Sequence, residues 1–120
     1  MKYSIRSIRP FIGAKDFDLS RKFYQTMGFE ESRIGDGMSF FYLGDFGFYL
    51  QRSYVKDWID NTMVFLEVED ANRHLTEITE LDLAEIFPGA RLSAMVENDW
   101  GREFFLHDPS GVLWHIGEFV

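Results

Sequence analysis

The chain contains no cysteine, which excludes a disulfide framework, a thiol nucleophile and any thiolate metal site. That usage fits a reducing compartment, and the cytoplasm is the expected location. Histidine is scarce, with only His74, His107 and His115. Positive charge is in deficit: 12 Lys and Arg stand against 20 Asp and Glu, for a net charge of −8. Such a balance repels a phosphate backbone and leaves no basic stripe, so a nucleic-acid partner is not expected. No apolar run approaches the ~18 residues needed to span a bilayer. The opening "MKYSIRSIRPF" interleaves polar with apolar residues where a signal peptide would carry an uninterrupted apolar core. A soluble, unprocessed chain with no membrane partner is the expectation.

Aromatic residues, by contrast, are abundant: 13 Phe, 5 Tyr and 3 Trp in 120 residues, of which 46% are apolar. That length and composition suit one domain with one core. A Phe-rich core accounts for most of the rings, yet flat, stiff side chains in this number also suit the wall of a cavity for an organic ligand. The acidic surface secures solubility and would attract a cationic guest.

Periodicity gives the element order. A strand is expected over Arg6 to Gly13, then a helix capped by Asp16 or Asp18 that runs to Met27 and ends at Gly28. Strands follow near Phe29 to Ile34, Met38 to Leu43 and Phe46 to Gln51, separated by turns at Gly35-Asp36-Gly37 and Gly44-Asp45. After the connector "RSYVKDWIDN" the order restarts. A strand lies in "TMVFLEVED", a helix begins at Asp70, Pro88-Gly89 breaks the chain, and strands are expected over Ala90 to Val96, Glu103 to His107 and Val112 to Phe119. An offset of 54 positions lays Phe11 on Phe65, Ile12 on Leu66, Asp16 on Asp70 and Tyr24 on Ile78. The chain therefore reads as α+β, with two tandem βαβββ modules at about 3–53 and 62–120 in a single domain.

Two stretches carry a family resemblance. "DFDLSRKFYQTMGFEE", Asp16 to Glu31, resembles the opening-module signature of the vicinal oxygen chelate superfamily, which includes glyoxalases, bleomycin-resistance proteins and extradiol dioxygenases. "HDPSGVLWHIGEF", His107 to Phe119, resembles its closing signature, with an Asp-Pro-x-Gly turn leading into the last strand. With "DWGREFFL" and this length, the chain is similar to the small bleomycin-resistance-like members over nearly its whole extent. The resemblance implies open, curled mixed sheets with concave faces, and a homodimer in which a module of one copy faces a module of the other to close each cavity.

Enzymes of that superfamily place a metal ligand on the first and last strand of each module. The matching positions here are Arg9, Tyr49 (or Gln51, on the same strand face), Met63 and His115. Only His115 is a credible donor, since a guanidinium repels cations and a thioether is soft. No metal, no other cofactor and no catalytic residue is therefore expected, and the same positions become ligand contacts. Strand alternation adds Phe41 and either Trp114 or Leu113. Trp100 and Arg102 flank Gly101 at the mouth of the penultimate strand, where a ring can stack on a planar group and a guanidinium can bind a carboxylate. Tyr54 and Trp58 in the connector would reach the cavity of a neighbouring copy, with Asp57 and Asp60 favouring a cation. Glu30, Glu31 and Glu118 are expected on a solvated rim.

Three functions remain open: a metal-free protein that holds a planar or cationic small molecule in an aromatic cavity at a dimer interface, a metal-dependent glyoxalase-like lyase, isomerase or dioxygenase, and an accessory module for an unnamed metabolite.

Overall fold

A computed structural model describes residues 4–120; Tyr3, the expected start of the first module, lies outside the described residues. The first module contains β1 (Phe11–Gly13), α1 (Phe17–Met27), β2 (Glu30–Gly35), β3 (Met38–Leu43) and β4 (Phe46–Gln51). A short helix α2 (Lys56–Asp60) links it to the second module, β5 (Met63–Glu67), α3 (Ala71–Glu80), α4 (Leu83–Ile86), β6 (Arg91–Leu92), β7 (Val96–Asn98), β8 (Gly101–His107) and β9 (Leu113–Phe119).

Each module forms its own mixed sheet. The first has strand order β1-β4-β3-β2; the second has order β5-β9-β8-β6, with β7 also paired to β8. In both, the first strand runs parallel to the last and the remaining pairs are antiparallel. The repeat is thus structural as well as sequential.

Local chemistry explains the two long helices. Asp16 caps α1 by accepting from the Leu19 amide at 3.1 Å, and Asp70 caps α3 by accepting from the Arg73 amide at 3.0 Å. Gly28 ends α1 at φ 108°, a left-handed conformation that costs glycine little. Glu118 from β9 accepts from the Ala71 amide at 2.9 Å, so it completes the α3 N-terminus instead of standing on a solvated rim.

The elements depart from the sequence reading in several places, β8 among them, which starts at Gly101 and not at Glu103. The first strand begins at Phe11, not Arg6, because only the Pro10 carbonyl, which accepts from the Tyr49 amide at 2.9 Å, extends the pairing backwards. The strand expected over Ala90 to Val96 is split into β6 and β7, and between them Ser93 joins its own N–H and its hydroxyl to the Phe105 backbone. Helices α2 and α4 span 5 and 4 residues, too short for a helical period to declare itself.

The helix sides of both sheets share one core. Tyr24 on α1, fully buried, packs against Phe29, Phe41 and Phe48 of its own module and against Trp114 of the other. Phe23 meets Phe87 edge to face at 5.5 Å. The turn Asp108-Pro109-Ser110-Gly111 docks on the start of α1. Asp108 Oδ1 accepts from the amides of Ser110, Gly111 and Val112, each at 2.9 Å, while Ser110 Oγ accepts from the Lys15 amide at 2.9 Å. Asp108 Oδ2 accepts from the Tyr24 hydroxyl, which in turn accepts from Trp114 Nε1 at 3.0 Å. Burial pushes the Asp108 carboxyl up against the opposing pull of these donors.

Candidate functional site

With the helix sides spent on the core, the opposite face of each sheet is left open. Residues paired across strands share a face, so the register of β1, β4 and β3 puts Phe11, Tyr49 and Phe40 in one row. Phe11 stacks on Tyr49 with centroids 4.9 Å apart and an interplanar angle of 20°, and Phe40 lies 5.2 Å from Tyr49. Arg9, just ahead of β1, closes the group: its guanidinium carbon sits 4.1 Å from the Phe40 centroid and one nitrogen donates to the Tyr49 hydroxyl at 3.0 Å. Gln51 follows on the same face, opposite Gly13 and Met38. Gly47 makes room for this arrangement, because a Cβ there would lie 2.6 Å from both the Phe40 ring and the Phe41 carbonyl.

The second sheet repeats the row. Phe65, His115 and Phe105 align across β5, β9 and β8. Phe65 stacks on the His115 ring at 6.2 Å and 20°, and Phe105 meets it edge-on at 5.1 Å. Glu103 holds the imidazole at Nδ1, 2.8 Å away, and its other oxygen accepts from Asn98 at 3.0 Å. Trp100 extends the aromatic surface, 6.0 Å from Phe65 and 5.1 Å from Phe119. Met63 is on this face and largely exposed.

The structure therefore brings Arg9, Tyr49 and Gln51 together on one open face, and Met63, Trp100 and His115 on the other. It places the remaining residues elsewhere. Phe41 is fully buried on the helix side, and the residue facing outward is its neighbour Phe40; β3 is apolar at Met38, Phe40, Phe41, Tyr42 and Leu43, so no alternation revealed the phase. Arg102 alternates with Glu103 and lies on the helix side, 3.3 Å from Glu97 and 3.9 Å from Glu118. Trp114 belongs to the core, which leaves Leu113 as the outward residue of β9. Tyr54 sits beneath the Lys15 ammonium, and Trp58 on α2 is 71% exposed; neither ring joins either row. Glu31 is no rim residue: it accepts from Arg21 at 2.6 Å, Ser39 at 2.6 Å and Gln25 at 2.7 Å. Burial would raise its carboxyl, but those hydrogen bonds and the Arg21 charge bring it down to about 2.

Phe11, Phe40, Phe65, Phe105 and Glu103 were not singled out from the sequence. The overlay of Phe11 on Phe65 was the available signal for two of them. The other three depend on cross-strand register.

The structure has two cavities. One of about 720 Å³ lies between the segment ahead of β1 (residues 5–8 and Pro10), the β3–β4 turn and β5, with Phe48 and Trp114 in its wall; of the two rows, Phe65 alone reaches it. Another of about 420 Å³ is formed on the second face by Phe105, His107, Leu113 and the Arg91–Ser93 segment. Both volumes fall within the range of roughly 300–1,000 Å³ usual for small-molecule sites.

The donor set does not fit a divalent cation. Arg9 places a fixed positive charge where the resemblance implies a ligand and uses the Tyr49 oxygen as its acceptor. Met63 offers only a thioether, and His115 is joined by a single carboxylate. Among the described residues no three His, Asp or Glu side chains converge as a metal site. His74 packs near Phe104 on the helix side and His107 lies beside Arg91; burial, and for His107 also the Arg91 charge, lowers the basicity of both rings.

No family model matches this sequence and no curated protein matches it. Solved structures do. A bleomycin-binding protein from bleomycin-producing Streptomyces verticillus, complexed with copper(II)-bleomycin, superposes with a TM-score of 0.78 at 23% identity, covering 98% of this chain and 99% of that one. A bleomycin resistance determinant encoded on transposon Tn5 gives 0.73 at 20% identity over 94% and 97%. Lactoylglutathione lyase from Agrobacterium tumefaciens gives 0.70 at 15% identity over 93% and 92%.

Proposed function

Starting from a fold that is that of the vicinal oxygen chelate superfamily, shared with bleomycin-binding proteins and with a glyoxalase-type lyase, we propose that this chain is a metal-free binding protein for a planar or cationic small molecule. The observation that carries this reading is the pair of equivalent open rows, Phe11-Tyr49-Phe40 and Phe65-His115-Phe105, with Arg9 and Met63 where chelating donors would stand. Without a Lewis acid to polarise a substrate oxygen, the fold retains a stacking surface with a few polar anchors.

The rows suit complementary parts of one guest. A planar group stacks on the rings, a carboxylate or other acceptor meets Arg9, and an amine meets Glu103 and Glu67, which flank Gly117 across the second sheet. A second copy of the chain closes each cavity by setting the first face of one protomer against the second face of its partner. Exposed Phe11, Phe65, Trp58 and Phe119 supply an apolar motive for that pairing. Among the described residues no helix is long and apolar enough to cross a membrane.

The test is titration of the protein with metal-free bleomycin and with copper(II)-bleomycin, followed by tryptophan fluorescence and by sedimentation. Saturable quenching at micromolar ligand with two ligands per dimer supports the reading. No response at that concentration sinks it for this ligand class. Stoichiometric bound metal that is lost on His115→Ala would overturn the metal-free reading and revive the alternative, a metal-dependent lyase, isomerase or dioxygenase.

A further inference from the structure

On the helix side of the first sheet, away from both open faces, three guanidinium groups surround the ring of Phe17, the buried first residue of α1. Arg21, Arg33 and Arg52 place their guanidinium carbons 5.9, 5.5 and 5.2 Å from its centroid. Their circumstances differ. Arg21 is neutralised by Glu31 and by Asp18 at 3.3 Å. Arg33 and Arg52 have no carboxylate partner among the described residues; both instead converge on the backbone carbonyl of Asp36, from 3.5 and 3.2 Å, and Arg33 also reaches the Gly35 carbonyl at 2.9 Å.

The pair is held from both directions. Arg33 reaches the β2–β3 turn from a strand whose register shifts at that point. Arg52 arrives from beyond β4, its amide donating to the Gly37 carbonyl at 2.8 Å and its side chain lying along Gly37, where a Cβ would touch it at 3.4 Å. Each guanidinium uses a single nitrogen on the turn, so most of the five donors on each remain unengaged. Clamping a turn needs only neutral donors. Setting two fixed cations on one carbonyl oxygen, with no carboxylate between them, is a repulsive arrangement, and it occurs in a chain with 20 acidic against 12 basic residues.

We propose that Arg33 and Arg52, supported by Phe17, form a binding site for a compact phosphate-type dianion. Guanidinium forks match phosphate oxygens in pairs, and the repulsion between the two cations is relieved when a dianion bridges them. The two arginines select the sign, and the overall charge of −8 selects against size: a long polyanion such as nucleic acid, or an anionic membrane, meets repulsion from the rest of the surface, whereas a small anion samples mainly the field of the two guanidinium groups. The site is independent of the aromatic faces and of what they bind.

Inorganic pyrophosphate and inorganic phosphate are the probes, added to the intact protein at low ionic strength in calorimetry and in NMR of the arginine Nε–Hε groups. Saturable pyrophosphate binding is expected, with the Arg33 and Arg52 signals shifting and that of Arg21, held by Glu31, remaining in place. In the R33Q/R52Q double variant the affinity should fall by about tenfold or more, one lost charge-assisted contact being roughly a tenfold effect. R33K/R52K, which keeps the charge and loses the fork, should retain weakened binding. Absence of heat and of signal shifts in the wild-type protein overturns the proposal and identifies the arginines as a turn clamp only. Binding undiminished in R33Q/R52Q overturns it too, as does tighter binding of a DNA oligonucleotide than of pyrophosphate. The wild-type NMR readout decides even if the double variant fails to fold.

Discussion

The hydroxyl of Tyr24 donates to the carboxylate of Asp108 at 2.6 Å, across 84 positions of sequence. It is a bond between modules: the phenol belongs to the helix of the first and the carboxylate to the closing turn of the second, and both groups are out of solvent. Trp114 completes the link by donating to the same hydroxyl. Replacing Tyr24 with Phe keeps the packing and strands both an indole N–H and a carboxylate oxygen. We expect Y24F to lose about 1–3 kcal/mol of unfolding free energy, the usual cost of a buried polar group left without its partner, measured by urea denaturation. An unchanged midpoint would show that the link contributes nothing net.

Glu31 governs the acid limb of stability. Its carboxyl is held at about 2 in the folded protein against an ordinary value of 4.5, so the unfolded chain binds the proton more readily. The stabilisation is therefore complete above pH 4.5 and is lost as pH falls towards 2. At neutral pH it is on the order of 3 kcal/mol by the linkage relation. Asp108 acts in the opposite sense, since its raised pKa favours the folded state at low pH and that gain disappears as pH rises through and above 3.8. Comparing urea midpoints of wild type and E31Q from pH 6 to pH 2.5 isolates Glu31: the two curves should converge at the acid end.

Arg9 offers a test of the site that leaves the fold alone. It lies ahead of β1, and its guanidinium meets Phe40 and Tyr49 on the open face. R9A should leave the thermal unfolding midpoint where it is and weaken binding of any ligand that uses the first face by roughly tenfold, as expected for loss of one charged anchor. Equal affinity in R9A and wild type would remove Arg9 from the site. W100F separates the signals: with Trp114 buried, Trp100 is the indole that stands among Phe65 and Phe119, and its loss should abolish most of the ligand-induced quenching while affinity changes little.

Gly47 predicts a link between backbone and site. An alanine there meets the Phe41 carbonyl and the Phe40 ring at 2.6 Å, so the strand and the ring must both yield. G47A should cost about 1–3 kcal/mol, the usual range for overpacking a well-filled position, and should also detach Phe40 from Arg9. Circular dichroism melts check the first effect and ligand titration the second. A fully stable G47A with native affinity would show that the close approach has no consequence.

What the sequence made legible was whatever is encoded within a few residues. The caps at Asp16 and Asp70, the Gly28 stop and the restart after 54 positions are local signals, and the structure carries all of them. Sheet phase is set elsewhere. Phe40 and Phe41 are equally apolar, and only the register of β3 against β4 decides that Phe41 goes inward to Tyr24 while Phe40 faces Arg9. Arg102 and Glu103 pose the same problem on β8, where Glu103 gains its meaning from His115 on a neighbouring strand. A place on an open sheet face was therefore legible for Arg9, Tyr49, Gln51, Met63 and His115, whereas for Phe41 and Arg102 the strand phase was set by partners distant in sequence.

The sharing of one core by both repeats bears on how the polypeptide acquires its shape. Helix α1 packs Tyr24 on Phe41 and Phe48 of its own sheet, yet Phe23 meets Phe87 of the second module and Tyr24 finds its hydrogen-bond partners in the last fifteen residues. Neither half can dry its interior alone, and their union must await contacts of wide chain separation, a topology that slows the search. Despite its internal symmetry, the molecule should assemble in one late, all-or-none step, with the C-terminal residues arriving as the keystone.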